Sequence, residues 1–186
     1  MRPLLLISVL ALAAASPAVA AAPLQTPASS APAAAADPDD VASVDAIIAA
    51  LYEVISGEAG QARDWDRFHS LFLPSATMGG AGRGPDGVGR LRPVPPADYV
   101  ARNSPYFAEH AFYEREIGRS TQRFGPLIEV LSAYEIREAP DAPAAAQRGV
   151  NAIQLFDDGR RLWIASVLWA AETPETPIPP GLLTAP

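Results

Sequence analysis

The sequence predicts an α+β domain in which three N-terminal helices pack on a curved, mostly antiparallel sheet. Two observations predict this class. The first half of the folded region carries apolar residues at helical spacing, and the second half consists of long strand patterns. The last two strands, within residues 149–171, form a hairpin that is apolar on both faces. Because both faces of such a hairpin must be covered, we expect helices on one side and further protein on the other.

This hairpin is predicted to turn at Asp158-Gly159, because Asp-Gly is a strong two-residue turn signal. With those two residues at the centre of the turn, Leu155 lies opposite Leu162. The same register places Asn151 opposite Ser166, as the only polar pair on an otherwise aliphatic face. We therefore expect these two side chains either to orient a ligand or to hydrogen-bond to each other.

The three helices are predicted from runs of apolar residues at helical spacing and from residues that favour helix ends. An aspartate or serine precedes each of the first two runs and can accept a hydrogen bond from a free backbone amide, whereas proline opens the third. The predicted bounds are Asp40 or Ser43 to Gly57, Asp64 to Pro74, and Pro96 to His110.

The segment between the second and third helices, residues 76–95, is rich in glycine. It contains the string G-x-G-x-x-G at 82–87, but a dinucleotide site needs a helix to open inside that motif, and extended chain follows here. We predict instead a hairpin that turns at Asp86-Gly87. Two further strands, 112–124 and 127–137, are predicted to be joined by a tight turn.

The two ends of the chain are expected to lie outside the folded domain, which we place at residues 40–173. Residues 1–20 combine a positive start, a short apolar run and a small-residue cleavage pattern, as in a signal peptide. Residues 21–39 form an alanine- and proline-rich linker that is predicted to be disordered, and 174–186 form a proline-rich, unstructured tail. We therefore expect an exported protein, periplasmic or secreted, with no stable membrane insertion after the signal is cleaved.

The composition limits the classes of partner. Cysteine is absent, so in an oxidising compartment stability has to come from a packed core. All 14 basic residues are arginine, and the formal net charge is −7. Because nucleic acids and anionic membrane surfaces attract basic patches, this acidic balance argues against nucleic acid as a partner.

Several short runs carry a resemblance to a known superfamily. They are DWDRF at 64–68, FYEREI at 112–117, RFG at 123–125 and RGVN at 148–151. Together with the order of elements, they resemble the nuclear-transport-factor-2-like superfamily, the cone-shaped fold shared by SnoaL-like polyketide cyclases, ketosteroid isomerase and scytalone dehydratase. The resemblance covers about residues 41–172. It implies a pocket between the sheet and the helices, and a homodimer packed through the sheet face that does not meet the helices.

The resemblance also implies a kind of chemistry. Enzymes of this superfamily tend to use an aspartate or histidine base together with a tyrosine or carboxylic acid that polarises a carbonyl. Three side chains are candidates for such catalytic roles: His69, Glu116 and Tyr134. His69 could also be a plain surface residue, and Glu116 could pair with a neighbouring arginine.

The side chains predicted to contact a ligand lie on the second helix and on the strands. They are Trp65, Tyr134, Asn151, Trp163 and Ser166. His110 with Glu114 or Glu116 is too loose a set for a metal site, so we predict neither a metal nor a cofactor.

Three functions remain open from the sequence. The first is an exported small-molecule-binding domain of the SnoaL-like type with an apolar pocket. The second is a cofactor-independent lyase or isomerase, of the polyketide-cyclase or dehydratase kind, that acts by general acid–base catalysis. The third is a protein-interaction module whose cone is filled by its own side chains. A pocket with a buried, partnered histidine or carboxylate would favour the enzyme.

Overall fold

The computed structural model describes residues 35–183, so the expected signal peptide and most of the expected linker lie outside the described residues. The described part contains four α-helices, six strands and a short 3-10 helix at Pro180–Leu182. The helices are α1 Pro38–Val41, α2 Val44–Ile55, α3 Trp65–Ser70 and α4 Pro96–Glu109. The strands are β1 Phe72–Arg83, β2 Gly89–Leu91, β3 Tyr113–Phe124, β4 Leu127–Arg137, β5 Gln147–Asp157 and β6 Leu162–Ala171.

The six strands form one mixed sheet in the order β2-β1-β6-β5-β4-β3. The β1–β6 pair is parallel, and the other four pairs are antiparallel. The face of the sheet that meets α2, here called the inner face, is built of buried side chains from β4, β5 and β6. These are Ile128, Val130, Ser132, Tyr134, Ile153, Leu155, Ile164 and Val167. The predicted α+β architecture, with N-terminal helices on one face of a mostly antiparallel sheet, is confirmed.

The helix α2 supplies most of the apolar surface that packs on this face. Its start is fixed by Ser43, whose hydroxyl accepts a hydrogen bond from the backbone N–H of Ala46 at 3.1 Å. Ile47 and Ile48 are fully buried, and each such side chain contributes about 2 kcal/mol of hydrophobic stabilisation. The first predicted helix is therefore two helices, with Ser43 rather than Asp40 as the cap of the longer one.

The second helix is shorter than the sequence predicts. Asp64 caps it as expected, through a 2.8 Å bond from the N–H of Arg67, but α3 ends at Ser70 rather than at Pro74. The next residues join the sheet, because the carbonyl of Leu71 accepts from Ile164 N and β1 begins directly afterwards. Pro74 lies where the β1–β6 register shifts, a place where its missing N–H costs no ladder bond.

The turn of the β5–β6 hairpin is also shifted. The N–H of Asp158 donates to the carbonyl of Arg161, so Gly159-Arg160 occupies the centre of the turn instead of Asp158-Gly159. The carboxylate of Asp158 accepts from the backbone N–H groups of Arg160 and Arg161, and Gly159 takes a φ of 84° that favours glycine. This side-chain cap selects the shifted turn over the predicted one.

Two β-bulges decide which side chains reach the inner face. In β6 the bulge falls at Ala165, between the pairs Leu155–Ile164 and Gln154–Ser166. In β3 it falls at Ile117, between Gly118 and Glu116. Because each extra residue reverses the alternation of the strand beyond it, side chains on the two sides of a bulge exchange faces. The predicted pair Leu155–Leu162 is wrong because the shifted turn places Leu162 opposite Asp157. The predicted pair Asn151–Ser166 is wrong because the shifted turn and the bulge together place Asn151 opposite Trp169.

The other predicted turns are found. β1 and β2 pair as a hairpin around residues 84–88, with Gly87 at a φ of 73°. β3 and β4 pair from Phe124–Leu127 onwards through Gly125, at a φ of 56°. Both glycines have a left-handed backbone conformation, which glycine adopts without a steric cost.

The described part of the expected C-terminal tail packs on the domain. Glu172 lies on the outer face of the sheet, opposite the helices, and its carboxylate accepts from the N–H of Ile178 at 2.9 Å. Ile178 is buried, and the 3-10 helix after it contacts β3 and β4. The tail thus covers a part of the outer face that includes the fully buried Ala133, in contrast to the unstructured tail that the sequence predicts. Within residues 35–183, no helix is long and apolar enough to cross a membrane.

Candidate functional site

A cavity of about 430 Å³ lies between the inner face of the sheet and helices α2 and α4. Its walls are mostly aromatic and aliphatic, and a few polar groups enter from the strands. The apolar walls come chiefly from Leu51, Ile55, Phe68, Met78, Phe107, Phe112, Ile136, Val167 and Trp169. A concave, largely apolar cavity with few convergent polar groups is typical of a small-molecule site.

Glu114 of β3 is the acidic side chain of this cavity. It lies opposite Ile136 in the sheet, and its Oε1 accepts a hydrogen bond from Asn151 Nδ2 at 3.1 Å. Burial raises the pKa of Glu114 to about 7, and the bond from Asn151 offsets only part of that rise. No arginine within residues 35–183 forms an ion pair with it. The side chain can therefore both lose and accept a proton near neutral pH.

A directed chain of hydrogen bonds holds Asn151 in place. The hydroxyl of Ser132 donates to Glu116 Oε1 at 2.6 Å, so it must accept the proton of Tyr52 at 2.7 Å. The hydroxyl of Tyr52 in turn accepts from Asn151 Nδ2 at 3.0 Å. Asn151 therefore gives its two N–H groups to Tyr52 and Glu114, which fixes the orientation of its amide.

Glu116, two residues along β3, has a different environment. Arg119 Nε lies 3.2 Å from Glu116 Oε2, and Arg119 also forms an ion pair with Asp45 at 2.8 Å. Glu116 does not line the cavity. The predicted alternative, an ion pair with a neighbouring arginine, is confirmed. Glu116 is thus paired with Arg119, whereas Glu114 faces the cavity and forms no ion pair within the described residues.

Two tyrosines that line the cavity, Tyr99 and Tyr134, interact electrostatically with this carboxylate. Burial and the nearby Glu114 raise the pKa of both Tyr99 and Tyr134, that of Tyr134 to about 12. Both hydroxyls are therefore protonated at neutral pH and can donate. The hydroxyl of Tyr134 bonds to Gln147, whereas that of Tyr99 has no hydrogen-bond partner in the described chain. Tyr99 is thus free to bind a ligand oxygen.

The structure brings two of the predicted site residues into the cavity. Tyr134 and Asn151 both line it, on neighbouring strands of the inner face. A side chain on Gly149 would collide with the hydroxyl of Tyr134, whose oxygen lies 2.4 Å from the position of the missing Cβ. Glycine at this position therefore allows the tyrosine to cross the neighbouring strand.

The remaining predicted residues lie away from the cavity. Trp65 packs against Phe107 at a ring distance of 5.9 Å and is part of the core. His69 lies beside Phe68 on α3 and does not line the cavity. Two more lie on the outer face. Trp163, opposite Phe156, donates to Asp158, and Ser166, which the bulge at Ala165 turns outward, donates to Gln154.

Glu114 and Tyr99 are the functional candidates that sequence reasoning missed. From the sequence, Glu114 is considered only together with His110, in a metal site that is not predicted. A signal was present, since Tyr134 and Ile136 of the adjacent strand form a buried apolar row, and a carboxylate opposite that row would be desolvated. Without the bulge at Ile117, however, the strands would pair Glu114 with Arg137 on the polar face. Within the described residues, no three acidic or histidine side chains are grouped closely enough to hold a metal ion.

A scan against protein-family models and a search of curated proteins each found no match. Solved structures do show similarity. One is a nuclear-transport-factor-2-like protein of unknown function from Shewanella baltica, which is 11% identical to this chain. The aligned region covers 68% of this chain and 91% of that protein, with a TM-score of 0.42. A candidate ketosteroid isomerase from Kribbella flavida is 15% identical over 77% of this chain and 87% of its own, with a TM-score of 0.42.

The CaMKII hub of S. rosetta is also similar, with 14% identity. The aligned region covers 59% of this chain and 82% of the hub, with a TM-score of 0.40. Similarities at this level bear on neither ligand nor reaction. The fold is decided by the chain's own architecture: helices on one face of a mixed sheet, with a cavity between them. The arrangement expected from the resemblance, with helices on one face of a mostly antiparallel sheet and a cavity between them, is the one observed.

Proposed function

We propose that this domain binds an apolar carbonyl compound in its cavity and catalyses a proton transfer on it without a cofactor, as a lyase or isomerase. The observation that carries the proposal is Glu114, a carboxylate in a cavity with mostly apolar walls that forms no ion pair with any cation among residues 35–183. Its pKa of about 7 leaves a large fraction ionised at neutral pH and makes it a stronger base than an exposed glutamate.

The geometry supports a simple division of roles. Glu114 removes a proton from the carbon next to the ligand carbonyl, and the electron pair of that C–H bond moves into the carbonyl to form an enolate. The hydroxyl of Tyr99 donates a hydrogen bond to the enolate oxygen, where negative charge develops. Where a C=C bond adjoins the deprotonated carbon, return of the proton to the far carbon of that bond shifts the double bond and completes an isomerisation. Where the adjoining carbon carries a leaving group instead, loss of that group with its bonding electrons completes an elimination. Asn151 holds the carboxylate in position throughout.

The alternatives from the sequence are less well supported. A cavity of about 430 Å³ argues against a cone filled by its own side chains. A simple carrier of apolar ligands would be served by an apolar cavity, because a buried carboxylate opposes ligand burial and destabilises the fold. The carboxylate and the free tyrosine hydroxyl therefore favour proton transfer over binding alone.

The proposal can be tested without knowledge of the natural substrate. The probe is 5-nitrobenzisoxazole, a small apolar carbon acid. When a base removes its ring C–H proton, the N–O bond breaks and a coloured cyanophenolate forms. We expect saturable catalysis whose rate rises with pH around a midpoint near 7, as Glu114 ionises. Glu114→Gln should lower kcat/KM by about a hundredfold or more.

The matched control is Glu129→Gln, which removes an exposed carboxylate on the outer face of β4. This variant should retain the wild-type rate and pH profile. Equal activity of Glu114→Gln and the wild type would show that Glu114 is not the base. A profile without a midpoint near 7 would contradict the role of its burial.

We also propose that the protein is exported and forms a homodimer. The export proposal rests on the signal-peptide pattern of residues 1–20. The dimer proposal rests on the outer face beyond the tail, where Leu131 is 37% exposed and shares its face of β4 with the exposed Leu127, which lies opposite the exposed Phe124. Apolar strand surface of this kind is typical of an interface between identical subunits.

A further inference from the structure

A second cavity, of about 510 Å³, lies beside the first one. It is formed by the glycine-rich end of β1, by β2 with the chain that follows it, and by α4, and we call it the arginine groove. Tyr99, Asn103 and Trp169 line both spaces, so the groove and the Glu114 cavity share a wall. The rings of Tyr99 and Trp169 meet edge to face at 6.0 Å in this shared wall.

The polar lining of the groove is strongly basic. Four arginines line it, Arg83, Arg90, Arg92 and Arg102, and no acidic side chain does. Arg90 is paired with Asp86 at 2.7 Å, and Arg83 donates to the carbonyl of Gly87. The guanidinium groups of Arg92 and Arg102 form no hydrogen bond or ion pair with any residue that the structure describes.

The absence of partners for these two guanidinium groups is unusual for this chain. Asp98 lies one helical turn before Arg102 on α4, yet no ion pair joins them. The chain has a formal net charge of −7, and most of its other arginines in the described residues are paired with carboxylates. A local excess of unpaired arginines in an acidic protein attracts anions to that place.

The backbone of β1 is shaped to keep the groove open next to Trp169. A Cβ on Gly80 would lie 3.0 Å from Trp169 Nε1, and a Cβ on Gly79 would lie 2.9 Å from the carbonyl oxygen of Arg92. Both glycines therefore allow close approaches that a side chain would block. The indole N–H of Trp169 has no acceptor within residues 35–183, so a further donor lies at the shared wall.

We infer that the ligand of this domain is an amphipathic carboxylic acid, whose apolar body occupies the Glu114 cavity and whose carboxylate binds Arg92 and Arg102 in the groove. Guanidinium groups bind carboxylates through paired hydrogen bonds that add charge and direction. This inference rests on the proposed function, because it extends the ligand of the same cavity.

The two sites also fix the orientation of the bound ligand. A ligand carboxylate beside Glu114 would bring two negative charges together in an apolar space, which is unfavourable. Beside Arg92 and Arg102 the same group is favoured. The reacting carbonyl of the ligand therefore lies near Glu114 and Tyr99, and its acidic end extends past Trp169 into the arginine groove.

A matched pair of probes tests the inference: 2-naphthylacetic acid and 2-(2-naphthyl)ethanol, which share a ring system and differ in the charged group. Calorimetry at neutral pH should show tighter binding of the acid, with an affinity that falls as salt is raised. The double variant Arg92→Gln/Arg102→Gln should bind the acid about tenfold more weakly than the wild type does and should bind the alcohol with unchanged affinity. The control is Arg160→Gln, at the exposed tip of the β5–β6 hairpin, which should bind both probes like the wild type.

The outcomes separate the inference from the proposed function. If the wild type binds both probes equally, or the double variant weakens both alike, the arginine groove does not select a carboxylate and only this inference fails. If the wild type binds neither probe, the proposed function fails with it. If Arg160→Gln weakens the acid as much as the double variant does, the effect comes from overall charge and the inference is again wrong.

Discussion

Replacing Glu114 with glutamine should remove a pH-dependent loss of stability. Burial raises the pKa of this carboxyl from 4.5 to about 7, so the folded protein holds the proton more tightly than the unfolded chain does. The stability that comes from this proton is fully present below pH 4.5 and is lost as pH rises to about 7. The shift corresponds to roughly 3 kcal/mol of unfolding free energy. Glutamine keeps the size of the side chain and an acceptor for Asn151, but carries no such penalty.

The assay is urea unfolding of both proteins from about pH 5 to about pH 8.5. The unfolding free energy of Glu114→Gln minus that of the wild type should rise by about 2.5 kcal/mol over this range, with most of the change below pH 7.5. Carboxyls whose pKa is lowered by arginines, such as Asp40 beside Arg67, titrate alike in both proteins and cancel. A difference that does not vary with pH would refute the conclusion that Glu114 is buried and unpaired.

Two further predictions concern packing and assembly. Gly149→Ala should lower the melting temperature in a thermal scan by several degrees, because its Cβ would meet Tyr134 Oη and a backbone carbonyl at 2.4 Å; an unchanged melting temperature would contradict the crossing described for this tyrosine. Leu131→Glu on the outer face should convert a dimer into a monomer in native mass spectrometry, whereas Val88→Glu in the β1–β2 hairpin should not. A wild-type monomer would rule out the proposed dimer.

Local signals in the sequence were sufficient for many elements. Ser43 and Asp64 cap their helices because their short side chains reach free backbone amides, and both can be recognised from sequence alone. The glycines at 87 and 125 likewise mark turns that only their left-handed backbone permits at low cost. Each of these features depends on a few neighbouring residues, which is why a single sequence predicts it.

The site depends on features that no local signal marks. A bulge at Ile117 shifts Glu114 from the polar face of β3 to the inner face, and a bulge at Ala165 moves Ser166 to the outer face. Neither residue type is diagnostic of a bulge, since each bulge follows from how neighbouring strands fit together over their whole length. The sequence could therefore predict a cavity, but it could not predict which carboxylate faces it.

The parallel pairing of β1 with β6 has a consequence for how the chain reaches its fold. In the sheet β1 contacts only the short β2 and the last strand, so its main partner lies about ninety residues further along the chain. Pairings between such distant segments form slowly, since a long loop must close first. A chain still emerging from the ribosome can form the β3–β4 hairpin, but the wall that carries Trp169 joins last. The ligand cavity therefore closes only after β6 has been synthesised and has paired with β1.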